Sequence, residues 1–344
     1  MSGIADTAKQ FDVIVVGNAI VDTLIKTNDA FLESLGLKKG SMNLIDDKKA
    51  KQLFDLFSSV TKSHDSIINE MSGGTANVSA GISSFGGKSS FIGKISSDQP
   101  GDRFATKLKE RGIEFSSSPS KGELSTGRSL IIVTEDGART MCTYLGSSGE
   151  INKDDLKEDL IAQSKILFIT GFLLDCKNGK ETCIAAIEIA RKNNCKIAFS
   201  LSDYLCVERH KKDMLELVEN HTDILFANKK EINALCVTSN HEDAIKKITE
   251  KYAGKDKIAA ITCSAEGVII INKEAPIKVE AVKVADIKDT TGSGSLFVSG
   301  FLYAHTHGFD LEKSATLGNL CAAEGLKHLG ARPIINLKDL IVKL

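Results

Sequence analysis

Short apolar runs alternate with longer mixed stretches along most of this chain. Residues 11–17, FDVIVVG, are an uninterrupted apolar run ending in glycine, which predicts a buried strand. Similar runs at 166–170, 196–201, 223–227, 258–263 and 268–271 predict further strands. The stretches between and beyond them, 179–193, 208–220, 229–236 and 241–254, predict helices. Strands separated by helices argue βαβ units and a mostly parallel sheet. In the first third, helices are expected over 29–36 and 46–60, with a short strand in the intervening GSMNLI. Residues 71–87 contain the Gly73-Gly74 break, after which Thr75 or Asn77 opens a helix with a small-residue face at Ala76, Ala80 and Gly81. A strand over 89–96, a turn at Asp98 to Asp102, a helix over 103–112 and an edge strand at 113–115 follow. The rhythm changes at 123–145. Two alternating segments, 127–134 and 138–145, flank Glu135-Asp136-Gly137, a strong hairpin signal. A hairpin interrupting a βα chain predicts a small sheet outside the main one, able to cover a ligand and exclude water. Residues 276–284 read as extended, and 297–303 and 311–328 as helices. No internal repeat or flexible linker divides the chain.

Composition narrows the classes. Lys plus Arg number 44 against 45 Asp plus Glu, a net charge of -1, so neither a nucleic-acid nor an anionic-membrane partner is expected. No apolar run reaches membrane-spanning length. The first ten residues, MSGIADTAKQ, lack the apolar core of a secretory signal. The eight Cys are dispersed, without CxxC or zinc spacing. Free, mainly buried thiols in a reducing cytosol follow, and a cytoplasmic location with them.

The candidate chemistry centres on 288–300, KDTTGSGSLFVSG. Glycines leave backbone N–H groups uncovered, and a helix starting here adds its own N–H groups and the positive end of its dipole. That combination suits an anion, most naturally phosphate. An ordinary tight turn with Ser as N-cap is the alternative. A Walker A loop is excluded because no Lys precedes the final Ser or Thr, and a dinucleotide fingerprint because position 297 is Phe. Asn18 and Asp22 follow the first strand, where open α/β sheets place ligand-binding groups. Asp22 could accept from a vicinal diol or serve as a turn aspartate. Arg139, just past the hairpin turn, could reach a phosphate or balance the acidic turn. Phe172 could stack on an aromatic ligand or belong to the core. Asn228 and Glu231 share the first turn of a helix and could hold water around a divalent cation, such as Mg²⁺.

The motifs at 17–22, 73–77, 228–231 and 289–295 together resemble the ribokinase-like carbohydrate kinases, the PfkB family, and within it the adenosine kinases and their bacterial relatives. The resemblance covers about residues 11–335, leaving a tail at 1–10 and a terminal segment at 336–344. It implies a three-layer α/β/α fold with a central, mostly parallel sheet. A small β-sheet lid would include parts of 17–45 and 123–145. It also implies transfer of the ATP γ-phosphate, with Mg²⁺, to a hydroxymethyl group of a sugar or nucleoside, adenosine or a relative being favoured. Asn18, Asp22, Gly73, Gly74 and Asn77 then look like sugar-binding positions, with Arg139 and Phe172 beside the substrate. Asn228 and Glu231 match the family's Asn-x-x-Glu, which organises Mg²⁺ and phosphate. Thr262, Ser264 and Gly267 fall at an ATP-contacting segment whose first Gly is here Ser264. Thr290 and Asn319 lie on the nucleotide side, and Gly292, Ser293 and Gly294 look like the anion hole. The family signature ends in a general-base Asp, and this chain has Ser295 there. The resemblance leaves an ATP-dependent kinase, either impaired or active with a water or another carboxylate as base, and a non-catalytic nucleoside-binding homologue; a nicotinamide-dependent oxidoreductase is disfavoured by the missing dinucleotide motif. It also leaves monomer and homodimer open.

Overall fold

The computed structural model describes residues 9–61, 67–117 and 119–344. Residues 1–8 of the expected tail lie outside these, while the Lys9 ammonium donates to Ala162 O and Asn193 O. In chain order the first strands are β1 (Phe11–Val16), β2 (Ala19–Lys26), β3 (Met42–Leu44), β4 (Ile67–Gly74), β5 (Ser89–Ile92), β6 (Glu114–Ser116), β7 (Gly127–Val133) and β8 (Arg139–Tyr144). They are followed by β9 (Ser164–Thr170), β10 (Lys196–Ser200), β11 (Ile224–Asn228), β12 (Ile258–Thr262), β13 (Val268–Ile271) and β14 (Ile277–Val279).

β1 is buried throughout, and its alternate side chains enter two different cores. Val13 and Val15 face one, Ile14 and Val16 the other. A parallel strand apolar on both faces requires cover on both. One cover is α3 (Ala76–Ser84), α4 (Gln99–Glu110), α10 (Ser293–Thr306) and α11 (Leu311–Gly325). The other is α5 (Glu158–Ala162), α6 (Gly179–Lys192), α7 (Tyr204–Glu216), α8 (Lys229–Leu235) and α9 (His241–Tyr252). The sheet order is β14-β13-β12-β11-β10-β9-β1-β5-β6, parallel except at β13 and β14. β1 pairs with β5 on one side and β9 on the other. Connections leave it in opposite directions, which opens a crevice at the strand ends.

The second sheet has the order β3-β8-β7-β2-β4. Its β7–β8 hairpin turns where expected, with Gly137 at φ 76. Two residues, Gly17 and Asn18, separate β1 from β2, so the small sheet grows directly from the large one. Its faces alternate with the strand period. Ile25, Leu130, Ile132 and Cys142 are sealed by Leu32 of α1 (Asp29–Ser34) and by Leu53 and Phe57 of α2 (Asp47–Thr61). Leu24, Ile131 and Val133 form the opposite face with Met141 and Leu329.

Several expectations are corrected. Asp22 lies within β2 rather than in a turn after β1, because the chain enters the second sheet at once. β4 was not expected: its polar, glycine-rich sequence lacks an apolar alternation and it becomes a strand through pairing with β2. α4 starts at Gln99 rather than 103, since Asp98 Oδ1 accepts from Gly101 N–H and Pro100 fits the first turn. α7 starts at Tyr204, four residues early, because Asp203 caps it. Only Ile277–Val279 of the 276–284 stretch is strand. All eight Cys are free, and seven are buried. Among the described residues no helix is long and apolar enough to cross a membrane.

Candidate active site

Asp289 organises the turn that precedes α10. It is fully buried; Oδ1 accepts from Thr291 N–H (2.8 Å) and Thr291 Oγ1–H (2.6 Å), and Oδ2 from Gly330 N–H (2.8 Å). Thr290 Oγ1 donates to Gly137 O at 3.3 Å and so ties the turn to the tip of the lid hairpin. Gly292 is left-handed, φ 77, and a Cβ there would lie 2.4 Å from the Ala331 Cβ. No side chain caps α10: the Ser293 hydroxyl turns back to Thr290 O. The N-cap alternative for serine is thereby set aside. Leu296 N–H makes the first helical bond, to Gly292 O, so the N–H groups of Gly294 and Ser295 have no helical acceptor. A Cβ at Gly294 would meet nothing within 4 Å.

α3 reinforces this end. Gly81 lies against Ser299, whose hydroxyl donates to Val78 O (3.1 Å) and Ser295 O (2.7 Å). One turn or more further on, Phe85 stacks on Tyr303 with ring centroids 4.4 Å apart. The two helices therefore run parallel, and α3 also lacks a side-chain cap at Thr75. Two uncapped helix starts with their positive dipole ends point the same way.

The sugar-side candidates cluster where β2 pairs with β4. Ile20 is opposite Gly73 and Ala19 opposite Gly74. A Cβ on Gly73 would fall 1.7 Å from Asp22 Oδ2, so only glycine fits beside this carboxylate. Gly74, φ 60, donates its N–H to Asp22. Burial pushes the Asp22 carboxyl up to about 7, opposed by Arg332, then by the Gly74 N–H, then by Arg139. Asn18 and Asn77 are buried, and neither Oδ1 has a hydrogen-bond partner among the described residues. The Asn18 Nδ2–H donates to Cys176 Sγ at 3.0 Å. The acidic hairpin turn is balanced by Lys39, 3.0 Å from Asp136, and by the Thr134 hydroxyl. Arg139 instead donates to Met141 Sδ and lowers the proton affinity of both Asp22 and Glu231. Phe172 is half-buried against the core of the α5–α9 side.

On the other side of the crevice Asn228 caps α8. Its Oδ1 accepts from the N–H groups of Lys230 and Glu231, and Glu231 Oε2 accepts from Asn228 N–H. Glu231 is buried, and burial pushes its carboxyl up to about 7; the Asn228 N–H opposes the shift and Asp203 adds to it. Thr262 sits opposite Asn228 on β12. Ser264 adopts φ 53, the conformation that favours the family's glycine at this place, and a Cβ on Gly267 would strike Val279 O at 2.0 Å. The Asn319 Nδ2 donates to Glu280 O (2.9 Å) and fastens α11 to the end of β14. Arg332 was missed from the sequence. It is buried, burial pushes it down to about 9, and Arg111 adds to that while Asp22 resists it. A single arginine among the small and apolar residues of LGARP was the available signal.

The model of the pfkB family carbohydrate kinases matches residues 31–337. The solved adenosine kinase of Sinorhizobium meliloti is 37% identical at a TM-score of 0.90, covering 98% of this chain and 99% of that one. A probable sugar kinase of Rhizobium etli is 36% identical, also at 0.90, over 97% and 98%. The adenosine kinase of Saccharomyces cerevisiae is 22% identical over 331 residues, 92% of this chain and 95% of that protein. The three layers, the small lid sheet and these matches agree, and the chain belongs to the pfkB family of carbohydrate kinases, ribokinase-like ATP-dependent sugar and nucleoside kinases that include adenosine kinases.

Proposed function

We propose that this chain binds ATP with Mg²⁺ and a nucleoside, adenosine or a close relative, and transfers phosphate to the nucleoside's hydroxymethyl group weakly. The observation that carries the substrate class is a census of polar atoms. Asp22, Asn18 Oδ1 and Asn77 Oδ1 are buried acceptors, and the two amide oxygens have no partner among the described residues. Leaving one such group unsatisfied costs about 1–3 kcal/mol. A ligand with several hydroxyl donors, as ribose has, relieves both amide oxygens and adds donors to Asp22, which already accepts from Gly74 N–H. Likeness to adenosine kinases favours a nucleoside over a hexose. The lid's outer face, already covered by α1 and α2, favours a monomer.

In this reading Asp22, with Gly73 and Gly74 at its side, holds the sugar hydroxyls. Phe172 and the apolar lid face flank the base. The free N–H groups at the start of α10 stabilise charge on the transferred group. Thr262, Ser264, Gly267, Thr290 and Asn319 border the nucleotide. Glu231 would hold Mg²⁺ through water; its carboxyl and Asp203 repel each other, which a divalent cation relieves, while Asn228 Oδ1 is committed to the α8 amides. Bound Mg²⁺ supplies charge neutralisation of the phosphates. Ser295 offers a hydroxyl that holds no proton from the substrate near neutral pH. Loss of general-base help is worth roughly 10²- to 10⁴-fold. Helix-end stabilisation survives because it depends on backbone placement.

Ser295 also favours a second reading, a nucleoside-binding protein without turnover. Phosphate transfer at saturating ATP and Mg²⁺ separates the two, measured before and after Ser295→Asp across adenosine, guanosine, inosine, ribose and fructose 6-phosphate. We expect nucleoside binding in both forms and a roughly 10²- to 10⁴-fold faster transfer after the substitution. Equal, high turnover in both would sink the impaired-transfer reading, and no nucleoside binding in either would sink the substrate.

A further inference from the structure

Among the described residues the Asn18 side chain donates from Nδ2 to Cys176 Sγ at 3.0 Å, while its buried Oδ1 has no hydrogen-bond partner. A carboxamide can be turned over about its last bond, exchanging donor and acceptor. Something must decide which way this one faces. Cys176 follows the short turn after β9 and is buried. Its Sγ lies 3.6 Å from Ser148 O, within reach of an S–H donated to that carbonyl. A neutral thiol has a single proton. Once that proton is spent on Ser148 O, the sulfur can only accept, and it faces the Asn18 NH₂. Turning the amide over would either set Oδ1 against sulfur lone pairs or require the thiol proton to leave Ser148 O, which would then rest on the long bond from Ile151 N–H at 3.4 Å. Burial pushes the Cys176 thiol up to about 12, so it keeps its proton near neutral pH.

We propose that Cys176 is a positioning residue: held by the Ser148 carbonyl, its thiol orients the Asn18 amide so that Oδ1 is presented as an acceptor to one hydroxyl of the bound nucleoside. The inference rests on the proposed function for the identity of the ligand, but not for the direction of the amide. It joins three segments at the crevice, the β1–β2 connection, the turn that follows β9 and the 146–150 turn, through one sulfur atom.

Two measurements test it. The first is calorimetric binding of adenosine and of its 2′-deoxy and 3′-deoxy analogues to the wild type, Cys176→Val and Cys176→Ser. Valine matches the thiol in size but neither donates nor accepts, whereas serine does both. The wild type should prefer adenosine over the analogue lacking the contacted hydroxyl. Cys176→Val should shrink that preference about tenfold, the scale of one hydrogen bond, with affinity for the deficient analogue unchanged. Cys176→Ser should keep most of it. An unchanged preference in Cys176→Val overturns the proposal. So does an equal loss of affinity for all three ligands, which would mark a merely structural role, or equal loss of preference in both variants. The second measurement needs no ligand. The Asn18 side-chain NH₂ resonances, identified by their disappearance in Asn18→Asp, should move in Cys176→Val and return toward their wild-type position in Cys176→Ser. Resonances indifferent to both substitutions overturn the proposal. Failure of the wild type to bind any nucleoside would defeat the proposed function, and the resonances would still judge the amide.

Discussion

Replacing Asp22 by Asn separates what the carboxylate does for the fold from what it does for a ligand. In the folded protein burial raises the Asp22 carboxyl from 3.8 to about 7. An acid raised in this way binds its proton more tightly in the folded than in the unfolded chain. Stability therefore falls as pH rises from about 4 to about 7, and the penalty is complete above that range. At 1.36 kcal/mol per unit, the full penalty is on the order of 4 kcal/mol at pH 8 and about 2 kcal/mol at pH 5. Asn is nearly isosteric, carries no charge, and its Oδ1 can keep the Gly74 N–H bond. It also removes the opposite charge that helps Arg332 remain protonated. Part of the gain is lost that way, so the figure at pH 8 is a ceiling. The change with pH is the sharper readout. Urea unfolding of both proteins at pH 5 and pH 8 should show the stability difference moving in favour of Asp22→Asn by about 2–3 kcal/mol between the two. Nucleoside affinity should fall in the variant, and in the wild type it should weaken as pH drops below 7. A stability difference that is the same at both pH values refutes the reasoning, since a carboxylate at its ordinary proton affinity would behave in that way.

Three further substitutions probe the backbone of the site. Gly292→Ala must hold a side chain at φ 77 and 2.4 Å from Ala331; we expect a loss of about 1–3 kcal/mol by chemical denaturation and weaker ATP binding by calorimetry. Gly73→Ala drives a methyl into the Asp22 carboxylate and should weaken nucleoside binding at least about tenfold, the loss of one charge-assisted hydrogen bond. Ser264→Gly relieves a left-handed serine at φ 53 and should stabilise the fold by up to about 1 kcal/mol, seen as a higher urea midpoint with an unchanged slope.

The sequence by itself determined the elements whose signal is local. β1 is legible because both of its faces are apolar, and the β7–β8 hairpin because alternation brackets an Asp-Gly turn. The turn at 289–292 is legible because glycine and serine at a helix start leave few other uses. The retained motifs pointed to the family, and Ser295 marked where this chain departs from the family signature. Tertiary structure decided the rest. β4 carries no apolar alternation and exists through its pairing with β2, a contact made across residues 27–66. The same pairing moves Asp22 from a turn into a strand and sets it against Gly73. Whether serine caps α10 depended on where the Ser293 hydroxyl turned, and it turned away. Asn228 shares its turn with Glu231 as expected, but its oxygen is already spent on the α8 amides. Arg332 reaches the neighbourhood of Asp22 from the far end of the chain. Periodicity records how much of each residue is hidden. Which partner hides it, and therefore which polar atoms are left without one, is set by contacts between segments distant in sequence, and in this protein those atoms outline the site.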